Sequence, residues 1–158
     1  MTVQFLTSVY RRVSAANLLY RLADAARDCY RTRHSTLEQA HGRRGEDLAH
    51  RFLRRQGLTI VSRNFHQRAG RGELDIVAWD SQTLVFVEVK TRASAEFGGP
   101  GRAVGADKEK DLRRAAGEYL RRTGAAMENR RFDLVNIILA DPPQIEWIKD
   151  AFPISRTL

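Results

Sequence analysis

Two short apolar segments of this chain carry charged residues at positions where a strand inside a sheet normally carries none. The segments are Gly72–Val77, which reads GELDIV, and Leu84–Lys90, which reads LVFVEVK. Taking an unpaired charge out of water costs on the order of several kcal/mol, or shifts its pKa until the group is neutral. Three acids and one ammonium on two adjacent strands therefore need a physical reason. A bound divalent cation is the reading that this pattern favours.

The register of the two strands follows from counting. Side chains alternate along a strand, so Glu73 and Asp75 share one face of the first strand, and Glu88 and Lys90 share one face of the second. If the hairpin is centred between residues 81 and 82, the numbers of paired residues add up to 163. That register places Asp75 opposite Glu88 and Glu73 opposite Lys90. Opposed side chains lie about 5 Å apart at Cβ, where two like charges destabilise the pair.

The loop length decides whether that register holds. A two-residue loop, Ser81-Gln82, and a four-residue loop, Asp80–Thr83, both preserve it, whereas a loop of three or five residues shifts it by one position. Ser-Gln is not a favoured two-residue turn, so the sequence favours the four-residue loop.

The alternative is an ordinary amphipathic hairpin whose charges face water and pair across strands. Two observations weigh against it: Phe86 shares the charged face, and the run Leu84–Val89 looks buried on both sides. Most of the 27 basic residues of the chain are Arg, and only four are Lys. The presence of Lys rather than Arg at position 90 is therefore informative, because Lys is a compact point charge on a flexible stem.

Phosphodiester hydrolysis requires a positioned water, a cation that withdraws charge from the phosphate, and a nearby positive group. Asp75 and Glu88 are candidates to bind Mg²⁺ or Mn²⁺, which prefer oxygen ligands, together with the backbone carbonyl of Val89. Lys90 lies one strand repeat beyond Glu88 on the same face, where it can orient or activate the attacking water. Glu73 is a candidate to hold Lys90 or a second ion.

Glu46 is a further candidate acid, because the start of the first predicted helix can face the polar corner of the sheet. An acid near a helix N-terminus is also an ordinary residue favoured by the helix dipole. Both readings of Glu46 stand at this point.

Composition bounds the class of protein. The chain has 158 residues, a hydrophobic content of 42% and a net charge of +8, so we expect one domain with an appendage and a polyanionic partner. Nucleic acid is the first candidate partner and an anionic membrane surface the second. The single Cys29 excludes an internal disulfide framework. No segment approaches 18 uninterrupted apolar residues, so we expect no membrane span and a cytoplasmic location.

Residues 1–40 read differently from the rest of the chain. Through Arg44 there are eight basic and three acidic residues, which supply +5 of the net charge. Apolar residues recur there at helical spacing, so the segment predicts a basic amphipathic helix that lies on a membrane, on nucleic acid or on a partner. A poorly ordered extension is the alternative. Arginines interrupt every candidate apolar core, which argues against a signal peptide.

The remaining pattern predicts a helix at 43–56, strands at 58–65, 73–79 and 83–91, a second helix at 107–122, and strands at 131–140 and 144–149. Asp133, on the strand 131–140, stands out as a buried acid. It is either paired structurally or lies in the outer shell of the site.

Several motifs together resemble the YraN family of small bacterial proteins, over roughly residues 41–153. They are Gly42–Ala49, Arg63-Asn64, Gly72–Asp75, Val85–Arg92, Phe97-Gly98, Lys108 and Ile145–Phe152. Residues 1–40 lie outside the resemblance as read from these motifs. The resemblance implies a PD-(D/E)xK nuclease superfamily domain over 41–153 and a tail at 154–158. The implied α/β fold is a restriction-endonuclease-like, Holliday-junction-resolvase-like core: a mixed sheet of four to five strands flanked by helices, in α-β-β-β-α-β order.

The resemblance also implies roles for individual residues. Asp75, Glu88 and Lys90 fall on the superfamily's catalytic positions, and Glu46 on an acid often used by resolvase-like members. The implied activity is a magnesium-dependent endonuclease acting on DNA, branched or junction DNA included. Resolvase-like relatives work as symmetric dimers, which implies a homodimer.

Two rival functions stay open at the level of sequence. One is a catalytically silent nucleic-acid-binding module that keeps the fold and serves a DNA-processing protein partner. The other is a protein that docks on a membrane or a partner through its N-terminal basic helix.

Candidate phosphate contacts flank the site. Arg92 and Arg102 lie in or beside the Gly-rich loop that follows the second charged strand. Lys108, Arg113 and Arg114 give the second helix a basic face. Such a face is either simply solvated or contacts the nucleic-acid backbone.

Overall fold

A computed structural model describes residues 36–68, 72–93, 104–125 and 129–153. The predicted N-terminal basic helix, the Gly-rich loop with Arg102 and the tail at 154–158 lie outside these ranges. The chain divides into two units, Met1–Ala40 and His41–Leu158. The helices and strands are α1 (Leu37–Arg55), β1 (Thr59–His66), β2 (Glu73–Asp80), β3 (Thr83–Arg92), α2 (Ala106–Thr123), β4 (Arg130–Ile138) and β5 (Gln144–Phe152).

The five strands form one mixed sheet in the order β1-β2-β3-β4-β5. β1, β2 and β3 are an antiparallel meander, β4 runs parallel to β3, and β5 is antiparallel to β4. A parallel neighbour requires a crossover, and α2 supplies it between β3 and β4. The predicted α/β class, element order and mixed sheet are confirmed, and the arrangement is that of a restriction-endonuclease-like core.

The hairpin between β2 and β3 has the predicted register. Val77 pairs with Phe86 and Ala78 with Val85, so paired numbers add up to 163. The favoured four-residue loop is wrong, because Asp80 still pairs with Thr83 and the turn is Ser81-Gln82 alone. Ser81 has a φ of 55°, and a positive φ in a two-residue turn matches the right-handed twist of the flanking strands. The register survives because both loops are even in length.

The sheet is covered on both faces by apolar clusters. One cluster contains the buried side of α2 and residues such as Val77, Phe86 and Phe132. The other contains Ala49 and Leu53 of α1 with alternate strand residues, namely Ile76, Ala78, Val85, Val87, Val135 and Ile137. Strict alternation fails at one position, because Leu74 belongs to the α2 cluster together with Val77. The central strands are thus buried on both sides, as the apolar run on β3 predicted.

The helix α1 begins six residues earlier than predicted, because a capping box starts it. Gln39 N donates to Thr36 Oγ1 and Thr36 N donates to Gln39 Oε1, each at 3.3 Å. Each side chain thereby satisfies a backbone N–H that has no partner inside the helix. No helix in the described ranges is long and apolar enough to cross a membrane.

Two glycines let the helices approach the sheet closely near the charged strands. A Cβ on Gly45 of α1 would lie 1.7 Å from Thr91 Oγ1 at the end of β3, so only Gly fits there. A Cβ on Gly72, just before β2, would lie 2.6 Å from the carbonyl oxygen of Asp111 in α2. The same end of the sheet therefore receives α1 on one face and α2 on the other.

Candidate metal centre and nucleic-acid interface

The two central carboxylates lie where β2 and β3 stop pairing. The last Cα pair of this ladder towards the site is Ile76 with Val87. Beyond it, Asp75 Oδ2 accepts a hydrogen bond from the backbone N–H of Val89 at 2.7 Å. A side-chain oxygen thus takes the place of a main-chain acceptor, which fixes the Asp75 carboxylate beside Glu88.

Both carboxylates are held in an environment that disfavours negative charge. Burial raises the pKa of Asp75 to about 7, with the nearby Glu88 as the next cause, while the Val89 hydrogen bond and the Lys108 ammonium act in the opposite direction. Burial also raises the pKa of Glu88, against the lowering effect of Lys108 and Lys90. Glu88 is 7% exposed. Acids with such shifts have their ionised form stabilised by an added positive charge.

Lys108 of α2 supplies part of that positive charge. Its Nζ lies 3.2 Å from Glu88 Oε2 and 3.9 Å from Glu73 Oε1. Burial lowers the pKa of Lys108, but the carboxylates of Glu88, Asp75 and Glu73 outweigh burial and raise it overall. Sequence reasoning placed Lys108 on a basic helix face and missed this ion pair. The available signal was its position in the first turn of a crossover helix that starts next to the end of β3.

Lys90 is half-buried at the same end of β3 and pairs in register with Asn136 of β4. It is close enough to Glu88 to lower the pKa of that acid. Within the part of the chain that the structure describes, its ammonium has no ion-pair partner. Lys90 is therefore the amine of this site that is not already neutralised by a carboxylate at contact distance.

Glu46 approaches the site from the opposite face of the sheet. Its charge raises the pKa of Asp75, so the two carboxylates are near each other. Glu46 Oε2 also lies 3.8 Å from Arg63 Nη2, and Arg63 makes a shorter contact of 2.8 Å with Asp47. Glu46 is the tenth residue of α1 and does not lie at its start, so the reading of Glu46 as an acid favoured by the helix N-terminus does not apply.

Glu73 does not have the predicted partner. It pairs in register with His66 of β1 rather than with Lys90, and its Oε2 lies 3.5 Å from His66 Nδ1. The ammonium nearest to it among the described ion pairs belongs to Lys108. The described contacts place Glu73 with His66 and Lys108 instead of Lys90, because the pairing of β2 with β3 stops at Ile76 and does not reach Glu73.

The described residues contain no group of three or more His, Cys, Asp or Glu side chains arranged to hold a metal ion. Asp75 and Glu88 converge, but Glu73 pairs with Lys108 and His66, and a set of three carboxylates is not assembled among the described residues. The side-chain oxygens available to a cation are therefore those of two residues. Mg²⁺ characteristically binds one or two carboxylates and completes its shell with water and substrate oxygens.

The backbone of β3 adds a third oxygen. Leu84 N and Arg92 O bond on the β4 side of the strand, to Asn129 and Leu139. Even-numbered residues of β3 therefore direct their backbone groups towards β4 and odd-numbered ones towards β2, since the direction alternates along a strand. The carbonyl of Val89 consequently points to the side that β2 has vacated, next to Asp75.

The four arginines predicted to contact phosphate differ in their placement. Arg102 lies outside the described residues. Arg92 is half-buried, and its carbonyl accepts a hydrogen bond from Leu139. Arg113 is held inside the domain, since its Nη2 donates to Glu109 at 3.0 Å and to the carbonyl of Pro153 at 2.9 Å, which favours a structural role. Arg114 is 67% exposed, and its contact with Asp111 leaves it accessible to a ligand.

A cavity of about 540 Å³, which the sequence did not reveal, lies between α1 and the edge strand β1. It is lined by His50, Arg54 and residues 58–63. Burial and the positive charges of Arg63 and Arg54 lower the pKa of His50, and its buried Nδ1 has no hydrogen-bond partner among the described residues. Glu46, His50 and Arg54 follow one another at intervals of four, so the cavity continues the face of α1 that begins at the carboxylates.

Asp133 belongs to a structural network at the other end of the sheet. It is fully buried and accepts hydrogen bonds from Arg131 Nε and Trp147 Nε1, each at 2.9 Å, and from Asp150 N at 3.0 Å. Arg131 also bonds Asp80 at 2.7 Å, next to the hairpin turn. Of the two readings of Asp133, structural pairing is the one that the contacts support.

Comparisons with known proteins agree with the motifs. The model of a family described as "Uncharacterised protein family UPF0102" matches residues 45–137. A UPF0102 protein of Solibacter usitatus is 51% identical over 135 residues, which cover 85% of this chain and 98% of that protein. A UPF0102 protein of Desulfosudis oleivorans is 45% identical over 114 residues, covering 72% and 90%. One from Dechloromonas aromatica is 45% identical over 113 residues, covering 72% and 88%.

The Solibacter alignment reaches further than the motifs did. From His41 to the end the chain has 118 residues, fewer than the 135 aligned, so part of residues 1–40 is included. The resemblance read from the motifs stopped at about residue 41.

Proposed function

The chain belongs to the UPF0102 family, also called the YraN family, and we propose that it is a metal-dependent endonuclease that hydrolyses phosphodiester bonds in DNA. One observation carries the proposal. Asp75 and Glu88 lie together at the point where β2 and β3 part, with Lys90 beside them and without a contacting carboxylate among the described residues. A binding module gains nothing from two carboxylates with raised pKa values in this position.

The residues present fit a magnesium-class cation. Asp75, Glu88 and the carbonyl of Val89 would hold it, and its positive charge would favour the ionised form of two acids whose pKa values are raised mainly by burial. When bound, Mg²⁺ or Mn²⁺ withdraws charge from a phosphate oxygen and makes a bound water more acidic. Water and substrate oxygens complete a shell of this kind.

The chain's own groups supply the remaining requirements. Lys90 donates hydrogen bonds to the attacking water and offsets the charge that develops on the phosphate. Glu46 reaches the site from α1 and stands close enough to Asp75 to act on a water or on a second cation. The Val89 N–H holds Asp75 in one orientation. Donors fixed before the reaction act at little reorganisation cost, which is the main source of electrostatic catalysis.

The substrate is proposed from charge. The net charge of +8 and the basic cavity between α1 and β1 suit a nucleic-acid strand. Its backbone would run from the carboxylates along α1 to the cavity. Intervals of four residues on a helix advance by about 6 Å, so Glu46, His50 and Arg54 accompany such a strand over roughly 12 Å. DNA, junction DNA included, is the proposed substrate, and a homodimer would present two such sites to a symmetric junction.

A second candidate function rests on a specific observation. Two side-chain ligands rather than three converge, and Lys108 already neutralises Glu88. Both facts suit a nucleic-acid-binding module that does not cut and that serves a DNA-processing partner. The two functions differ in one measurable property, which is divalent-ion-dependent cleavage.

The deciding experiment compares cleavage of linear duplex, single-stranded and four-way-junction DNA with Mg²⁺ or Mn²⁺. Wild type is set beside Lys90→Ala and Asp75→Asn, with Lys110→Ala as the control, because Lys110 is 63% exposed and, among the described residues, pairs with the exposed Asp107. We expect wild type and Lys110→Ala to cut and the two site variants to lose cutting. Equal cutting by all four proteins would indicate a contaminant, and binding without cutting by wild type would favour the silent module.

A further inference from the structure

The ammonium of Lys108 lies in the carboxylate site, in the place that a metal cation would take. Its Nζ is 3.2 Å from Glu88 Oε2, an oxygen that is buried and accepts no hydrogen bond of good geometry from the described residues. The ion pair with Lys108 is therefore the contact that balances the Glu88 charge. Unpaired buried charges are rare in folded proteins, so a counter-ion at this position is expected whenever the site holds no metal.

This ion pair and a metal on the same carboxylate oxygen compete with each other. A Mg²⁺ ion lies about 2.1 Å from its oxygen ligands. With an ammonium at 3.2 Å from the same oxygen, the two cations would be no more than about 5 Å apart, by the triangle inequality. At that distance a dication and an ammonium in a poorly solvated site repel each other strongly.

Glu73 offers Lys108 a second position. Its Oε1 is already 3.9 Å from the Lys108 ammonium, and its side chain is 48% exposed, whereas that of Glu88 is 9% exposed. Lys has a flexible four-carbon stem, so a transfer between two carboxylates that both lie within 4 Å of its ammonium requires only rotamer changes.

We propose that Lys108 is a resident counter-ion that exchanges with the divalent cation, moving from Glu88 to Glu73 when the metal binds. The inference rests on the proposed metal site at Asp75 and Glu88. It assigns Glu73 a role that is distinct from metal ligation, as the carboxylate that receives the displaced ammonium. Lys108 is then a positioning residue whose removal strengthens metal binding.

The test measures Mn²⁺ and Mg²⁺ affinity of the full chain by calorimetry at pH 8.5, where protons compete little for the carboxylates. We expect Lys108→Met to bind the metal at least about tenfold more tightly than wild type, since 1.4 kcal/mol of relieved repulsion is tenfold in affinity. Lys110→Met, two residues away on the same helix, should match wild type. Equal or weaker binding by Lys108→Met would overturn the exchange while leaving the metal site standing. No binding by wild type would overturn both.

A double-mutant cycle decides whether Glu73 receives the displaced Lys108 or binds the metal itself. If Glu73 receives Lys108, Glu73→Gln weakens metal binding several-fold in the wild-type background and has no effect in the Lys108→Met background. If Glu73 is a metal ligand, Glu73→Gln weakens binding equally in both backgrounds, and the inference fails.

A third measurement needs no substitution. Amine-labelling of the unsubstituted chain, quantified by mass spectrometry, gives the reactivity of Lys108 relative to Lys110. We expect Mg²⁺ to raise this ratio, because the ammonium moves from a buried to a half-exposed partner. An unchanged ratio at saturating Mg²⁺ would contradict the exchange.

Discussion

The carboxylate of Asp75 accepts a hydrogen bond from the backbone N–H of Val89, with 2.7 Å between Oδ2 and N. The bond joins β2 to β3 one residue beyond the end of their paired ladder. It brings Asp75 next to Glu88 in spite of their repulsion. The arrangement stores unfavourable electrostatic free energy at the proposed site, and that free energy can be measured.

The first prediction concerns the pH dependence of stability. The pKa of Asp75 is about 7 in the folded chain and 3.8 in its usual, unfolded environment, so between these values the folded state binds more protons than the unfolded state. The free energy of unfolding therefore falls as pH rises from about 4 to 7. Asn at position 75 keeps an acceptor for Val89 N–H but cannot ionise. Asp75→Asn should thus be more stable than wild type at pH 8, by on the order of 2 kcal/mol.

Urea denaturation in the presence of a chelator, at four pH values between 5 and 8, measures this effect. Asp107→Asn is the control, because the Asp107 side chain is 99% exposed. It should retain the pH slope of wild type. If the stability of Asp75→Asn depended on pH as that of wild type does, the ionisation of Asp75 would not be the cause of the pH dependence.

The second prediction concerns the close approach of α1 to β3. Gly45→Ala places a methyl group on Thr91 Oγ1 and forces the helix away from the strand. Overpacking of this kind costs about 1–3 kcal/mol. Gly42→Ala on the same helix meets nothing within 4 Å and should stabilise the chain by up to about 1 kcal/mol through helix propensity.

Thermal unfolding of the two variants checks the contrast. Because Glu46 follows Gly45 directly, Gly45→Ala should also reduce cleavage in any assay in which wild type cuts. Stabilisation by both substitutions would mean that α1 does not contact Thr91 as the structure has it.

The third prediction concerns the buried network around Asp133. Asp133→Asn removes the charge that Arg131 and Trp147 Nε1 contact, at the end of the sheet away from the carboxylate site. Weakening one side of a buried ion pair leaves its partners poorly satisfied, so we expect a loss of about 3 kcal/mol. Divalent-ion affinity of the folded protein should not change. A change in that affinity at constant fold would connect Asp133 to the site after all.

The fourth prediction concerns the cavity between α1 and β1. If one backbone phosphate lies there, Arg54→Ala should weaken DNA binding and reduce the salt slope, log K against log salt, by about 1. The control is Arg121→Ala, an exposed arginine that lies roughly 20 Å along α2 from Lys108. Fluorescence anisotropy at several salt concentrations gives both slopes. Identical slopes for Arg54→Ala and Arg121→Ala would remove the cavity from the proposed path.

Local patterns predicted most of the fold. Within the described ranges, apolar periodicity identified both helices and all five strands, and the boundaries erred mainly at the start of α1. There the capping box Thr36–Gln39 begins the helix before the apolar periodicity does. The hairpin register was predicted because it depends only on side-chain alternation and an even loop length, both of which are properties of neighbouring residues.

Strand alternation and an even turn thus predicted the register only as far as Ile76 and Val87, and the hydrogen bond from Val89 N–H that holds the Asp75 carboxylate beyond this ladder was not predicted. The contact of Glu88 with Lys108 could not be predicted from the amino-acid pattern. The distance between these two residues depends on how α2 packs against β2 at Gly72, and no local pattern encodes the separation of elements that are far apart in the chain. The same holds for the His50 cavity and for the Asp133 network, in which α1, β4 and β5 meet residues from elsewhere in the sequence. Such contacts follow from long-range packing, where small shifts of whole helices decide which charges touch.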